Sequence, residues 1–145
     1  MHRKQIIVLL VLLALAVPAS PAHAGGVVSI CDEAHLLAAL AGGDTVTFSC
    51  SGTISLTAPI VITADTTIDG SGHVVTISGN NAVRVFTVNA GVAFTLTELT
   101  IANGTVSDYE SGGGIYITEG TLTVSNCTLS AVSYTHLTLP TSDLV

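Results

Sequence analysis

Phe94-Thr95-Leu96-Thr97-Glu98-Leu99-Thr100-Ile101 lies over Leu122-Thr123-Val124-Ser125-Asn126-Cys127-Thr128-Leu129, at a constant offset of 28 residues from Phe94 to Leu122. Apolar residues meet apolar residues throughout. Within each copy, alternation puts Phe94 and Leu96 on one face and Thr95 and Thr97 on the other, until the step from Leu96 to Leu99 breaks the two-residue period. The same fault falls between Val124 and Cys127. A chain that repeats both its alternation and its fault must bend at Thr97-Glu98 and again at Ser125-Asn126, as a coil does when one sheet gives way to the next. An antiparallel β-sandwich, the alternative for a Thr- and Val-rich chain, has no reason to repeat the fault.

Working outward, Phe86 and Val88 map onto Ile115 and Ile117 at offset 29, and Ile68 maps onto Ile101 at offset 33. Strands are expected over Thr45–Ser49, Thr53–Thr57, Pro59–Thr63, Thr66–Ile68, Val74–Ser78, Arg84–Val88, Phe94–Ile101, Ile115–Thr118 and Leu122–Leu129. Turn signals separate them, among them Asp69-Gly70-Ser71-Gly72 and Gly112-Gly113-Gly114. Asp32–Ala41 is the one helical segment, with Leu36, Leu37 and Leu40 expected on its buried face and Gly42-Gly43 as its stop. The fold class is therefore all-β: a right-handed parallel β-helix, or solenoid, of about three coils with a short N-terminal capping α-helix.

The ends read differently. His2, Arg3 and Lys4, the apolar run Ile6–Val17 and the small residues of Ala22-x-Ala24 make residues 1–24 a secretory signal peptide cleaved after Ala24; the apolar run is too short for a membrane anchor. At the other end, Val132–Thr141 leaves every earlier pattern and, back-translated, resembles the transposase mosaic end of a sequencing adapter. Residues 131–145 are accordingly read as an artefact, residues 25–44 as the cap and residues 45–130 as the coils of a longer solenoid whose open last coil would self-associate.

Between residues 25 and 130, Arg84 is the only Lys or Arg and faces nine carboxylates. Such a surface repels phosphates, which argues against nucleic-acid binding and against anionic membranes. Secretion would place the three cysteines in an oxidising compartment. Cys31 and Cys50 bracket the helix and are the disulfide candidate, with their pairing left open, while Cys127 holds an apolar wall position and reads as a buried small hydrophobe.

The run Gly112-Gly113-Gly114-Ile115-Tyr116, followed by Gly120–Ser130, resembles the Gly-Gly-Ala-Ile and Phe-x-x-Asn repeats of polymorphic outer-membrane proteins, and is similar to bacterial repeat proteins of the pectate-lyase-like fold. The resemblance covers residues 27–130. It implies a secreted or cell-surface protein, adhesive or carbohydrate-associated. It assigns no catalytic, cofactor or metal residue, and no cofactor is expected.

The chemical candidates are few. Asp108, Tyr109, Glu110 and Glu119 cluster around a Gly-rich loop and could hold Ca²⁺ or serve glycosidic acid/base chemistry, but a solvated joining loop explains them as well. A polysaccharide lyase or glycoside hydrolase with its active site in further coils is the rival to a non-catalytic surface-binding protein. His35 on the helix and His73 in a turn read as structural, and the sequons at Asn103 and Asn126 read as turn and wall positions.

Overall fold

The computed structural model describes residues 25–107, 110 and 112–132. The segment read as a signal peptide, Asp108 and Tyr109 of the acidic candidate site, and residues 133–145 of the segment read as adapter lie outside the described residues. Among the described residues twelve strands and one helix follow in order: β1 (Val27–Val28), α1 (Glu33–Leu40), β2 (Asp44–Phe48), β3 (Gly52–Ser55), β4 (Ile60–Ile62), β5 (Thr66–Asp69), β6 (Val75–Ser78), β7 (Phe86–Val88), β8 (Ala93–Thr97), β9 (Thr100–Ala102), β10 (Ile115–Ile117), β11 (Thr121–Ser125) and β12 (Thr128–Ser130).

Every strand pairs in parallel with the strand one coil away, giving a five-stranded sheet in the order β1-β2-β5-β8-β11, a four-stranded sheet β12-β9-β6-β3 and a three-stranded sheet β10-β7-β4. The chain visits the three sheets in turn and starts again, which makes a β-solenoid of about three turns.

Register stacks like on like. Val46, Ile68, Leu96 and Val124 form one interior column; Ile54, Ile77, Ile101 and Leu129 form a second. Ile60, Phe86 and Ile115 make a third on the last sheet. Phe86 meets Phe94 edge to face across the interior, ring centroids 5.0 Å apart at 61°, the geometry the ring quadrupoles favour. The two buried polar side chains among the described residues are satisfied: Thr66 donates to the Ala64 carbonyl at 2.8 Å, and the Ser78 hydroxyl accepts from the Asn80 amide at 3.1 Å.

The fault in the repeat is a corner. Phe94–Ile101, expected to bend at Thr97-Glu98, divides there into β8 and β9, and Glu98 between them takes φ +49°. Asn126 does the same between β11 and β12 at φ +52°. A left-handed residue swings the chain from one sheet to the next and rotates the following side chain inward, so Leu99 and Cys127 are buried although they break the alternation.

Four expectations are corrected. Ile68 pairs with Leu96, not with Ile101, whose partner is Ile77. The turn through Gly70–Val74 is longer than the Glu98-Leu99 corner, so the extra residues sit between sheets and leave the Thr66-to-Phe94 spacing at 28. The strand expected from Arg84 begins at Phe86. Val27–Val28, read only as part of the cap, is an edge strand of the five-stranded sheet.

The fourth correction concerns the helix face. Leu36 and Ala39 are buried and Leu40 packs partly on the core, whereas Leu37 is 46% exposed. Residues 36, 39 and 40 follow the i, i+3, i+4 rule, and Leu37 lies a further 100° or so round the helix. Gly26 fixes this rotation: a β-carbon there would lie 2.5 Å from the Ala39 Cα, so only Gly lets the start of β1 and the helix touch along that face. Leu37→Ser is therefore expected to change stability by no more than about 0.5 kcal/mol, measured by urea unfolding.

Candidate functional site

The Gly-rich joining loop is built around Arg84. The residue sits just before β7, and its Nε donates to the Gly112 carbonyl at 2.9 Å. Its Nη2 reaches the Glu110 carboxylate at 3.4 Å and its guanidinium lies 4.7 Å from the Tyr116 ring centroid. Gly104 lets the loop's two ends pass in contact, since a β-carbon there would collide with the Gly113 carbonyl. The one cation of the described residues thus fastens a loop to the wall. Glu110 belongs to this clamp, while Glu119 sits on a separate turn, where its carbonyl accepts from the Gly91 amide. No group of three His, Cys, Asp or Glu side chains converges among the described residues.

The remaining polar candidates also hold the backbone. Asp32 is the N-cap of α1, accepting from the His35 amide at 2.8 Å and lying 2.7 Å from its ring Nδ1. Glu33 reaches over to the corner between β3 and β4, where its two oxygens accept from the Thr57 amide at 2.8 Å and hydroxyl at 2.9 Å. Asp69 closes its own turn, accepting from the Ser71 hydroxyl and amide. His73 donates its amide to the Gly70 carbonyl at 3.0 Å. Asn103 gives its side-chain amide to the Ser78 hydroxyl, while Asn126 is exposed at its corner.

These bonds favour the charged carboxylates. The His35 backbone amide, then its ring, hold Asp32 below the usual aspartate value. The Thr57 amide, then its hydroxyl, do the same for Glu33, and the Ser71 hydroxyl, then its amide, for Asp69. A carboxylate with a depressed folded pKa contributes stability that is fully present above its unfolded value, about 3.9 for Asp and 4.3 for Glu, and is lost as the pH falls through the folded one. The melting temperature is expected to be flat above about pH 5 and to fall below about pH 4. Asp32→Asn, which keeps a good N-cap without the titrating charge, should make that acid-side fall shallower.

The disulfide lies at the cap. Cys31 and Cys50 are bonded, with Cα atoms 5.7 Å apart, and join the residue before the helix cap to the turn after β2. Cys127 is free and buried; burial pushes its thiol pKa up, and its Sγ lies 3.3 Å from the Ser125 carbonyl.

The outer face of the five-stranded sheet carries the most regular polar surface. Thr45, Thr67, Thr95 and Thr123 stand in register on successive rungs, and beside them run Thr47, Asp69, Thr97 and Ser125. All eight reach solvent: Thr45 and Thr123 are exposed and the others half-buried. Alternation in the sequence put Thr95 and Thr97 outward, but the four-rung columns were hidden by the misplaced partner of Ile68. Two open hollows of about 270 Å³ lie elsewhere, one between the end of α1 and Val61–Ala64, the other at the corner of His73, Glu98 and Asn126. No helix among the described residues is long and apolar enough to cross a membrane. Comparison with known proteins finds no matching family model, no matching curated protein and no matching solved structure.

Proposed function

We propose that the chain is part of a secreted or cell-surface β-solenoid that binds a glycan or another extended surface without transforming it, in the manner of bacterial adhesive repeat proteins. The observation that carries this reading is the pair of Thr- and Ser-rich columns on the five-stranded sheet, a polar face repeated rung by rung. The chemistry-bearing side chains support it from the other direction: Arg84 clamps a loop, Asp32 caps a helix, and Asp69 closes a turn. Each is committed to the backbone. A lyase or hydrolase remains the rival reading, with its active site in further coils.

The test is to incubate the oxidised protein with insoluble polysaccharides, crystalline cellulose and chitin among them, and to measure both protein retained and sugar released. Retention without release of reducing or unsaturated products supports the reading; product formation supports the rival. Self-association belongs to the same proposal, because β11 and β12 are the terminal rungs of their sheets among the described residues. Light scattering is expected to find oligomers, and a monomer at all concentrations would contradict it.

A further inference from the structure

We propose that the outer face of the five-stranded sheet orders water into an ice-like layer and through it binds ice. The inference deepens the surface-binding reading, because it uses the same two columns and names what they fit.

Neighbouring rungs of a parallel sheet lie about 4.8 Å apart, so the outward Thr positions of one column recur at that interval over four rungs. In a tetrahedral water network with O···O contacts of about 2.75 Å, two oxygens bonded to one shared water lie about 4.5 Å apart. Hydroxyls on successive rungs can therefore both bond a single bridging water at nearly undistorted angles. Along each strand the two columns are two residues apart, about 6.6 Å, so the bridged waters extend in two directions. A sheet fixes this array before any ligand arrives.

Side-chain chemistry points the same way. Thr is stiff at its first torsion, so each residue presents a hydroxyl beside a methyl with little freedom to lose. Seven of the eight positions are uncharged, in a chain with ten acidic residues. The exception, Asp69, is held by Ser71. Thr45 on the first rung shares its hydroxyl with Asp44 at 3.3 Å, leaving Thr67, Thr95 and Thr123 as the continuous run. None of the eight is aromatic, so the face offers no flat apolar platform for a pyranose ring. An uncharged lattice of hydroxyl-like donors and acceptors is its complement.

The experiment compares the full oxidised chain with Thr67→Tyr and Thr95→Tyr, and with Thr87→Tyr on the three-stranded sheet as the control for a bulky change on another face. Tyr suits exposed strand positions, and circular dichroism checks that each variant folds. Ice recrystallisation in a frozen sucrose film and crystal habit in a nanolitre osmometer are read alongside retention on crystalline cellulose. Arrest of recrystallisation and faceted crystals with the parent and Thr87→Tyr, lost in Thr67→Tyr and Thr95→Tyr, is the expected result. No effect of the folded parent on ice overturns the inference. Should the parent then bind cellulose, and Thr95→Tyr but not Thr87→Tyr alter that binding, surface binding by this face stands and only its ligand is corrected; if it binds neither, both readings fall.

Discussion

Phe94→Ala is expected to destabilise the protein by about 3–5 kcal/mol, measured by urea unfolding. Phe94 has no exposed surface, stacks between Thr66 and Leu122 on neighbouring rungs, and meets Phe86 edge to face. Removing its ring opens a cavity in the middle of the stack, where strands on both sides are fixed by their own hydrogen bonds and cannot close in. Leu122→Ala removes the next side chain in the same column, but Leu122 is 8% exposed on the last described rung and has a neighbour on one side only. Its cost should fall near the lower end of the core range, about 2 kcal/mol. Solenoid stability is a sum over layers and the contacts between them, so an inner-layer loss propagates both ways and an end-layer loss does not. Equal costs for the two substitutions would contradict the stacked arrangement.

Loss of the Cys31–Cys50 bond is the second large effect. The bond closes a loop across 19 positions, and removing a cross-link of that length from the unfolded chain costs about 3 kcal/mol in the chain-entropy account. For a domain of this size that corresponds to a fall of roughly 12–24 °C in melting temperature. The loss should be felt first in the cap, because the bond holds α1 over β1 and β2, where Leu36 and Val28 are fully buried. Reduction, or Cys31→Ser with Cys50→Ser, is expected to lower the melting temperature and to release amide protection in α1 before that in β8. A shift of less than about 3 °C would show that packing and the Glu33 contact with Thr57 seat the cap unaided.

The sequence carried the coil wherever repeat copies had corners of equal length. Phe94–Ile101 and Leu122–Leu129 share a corner, so their register was legible to the residue, as was that of Phe86 with Ile115. Ile68 was misplaced because the Gly70–Val74 turn lengthens the path between sheets without altering the rungs, and a linear alignment charges those residues to the wall. Leu37 was misplaced because three apolar residues within one turn do not reveal which of them faces inward; Gly26, far from a helix signal, decides it. Val27–Val28 was too short to stand out as a strand and depends on β2 for its partner.

The candidate site was legible only in part. The acids near the Gly-rich loop could be found from sequence, but that Glu110 and Arg84 form a clamp depends on a meeting 26 residues apart. The Thr columns needed the three-dimensional register, because a single Thr-x-Thr is an ordinary strand and acquires meaning only when Thr95-x-Thr97 lines up with Thr45-x-Thr47, Thr67-x-Asp69 and Thr123-x-Ser125 on the other rungs.

Parallel stacking of equivalent residues is the claim on which the site and the proposals depend, and methyl NOE spectroscopy on the oxidised protein tests it most directly. The account predicts contacts from Ile68 to Leu96 and from Leu96 to Val124, with none between Ile68 and Val124, two rungs or about 9.6 Å apart. Short Hα–Hα contacts joining residues 93–97 to residues 121–125 would mean antiparallel strands, and would contradict it.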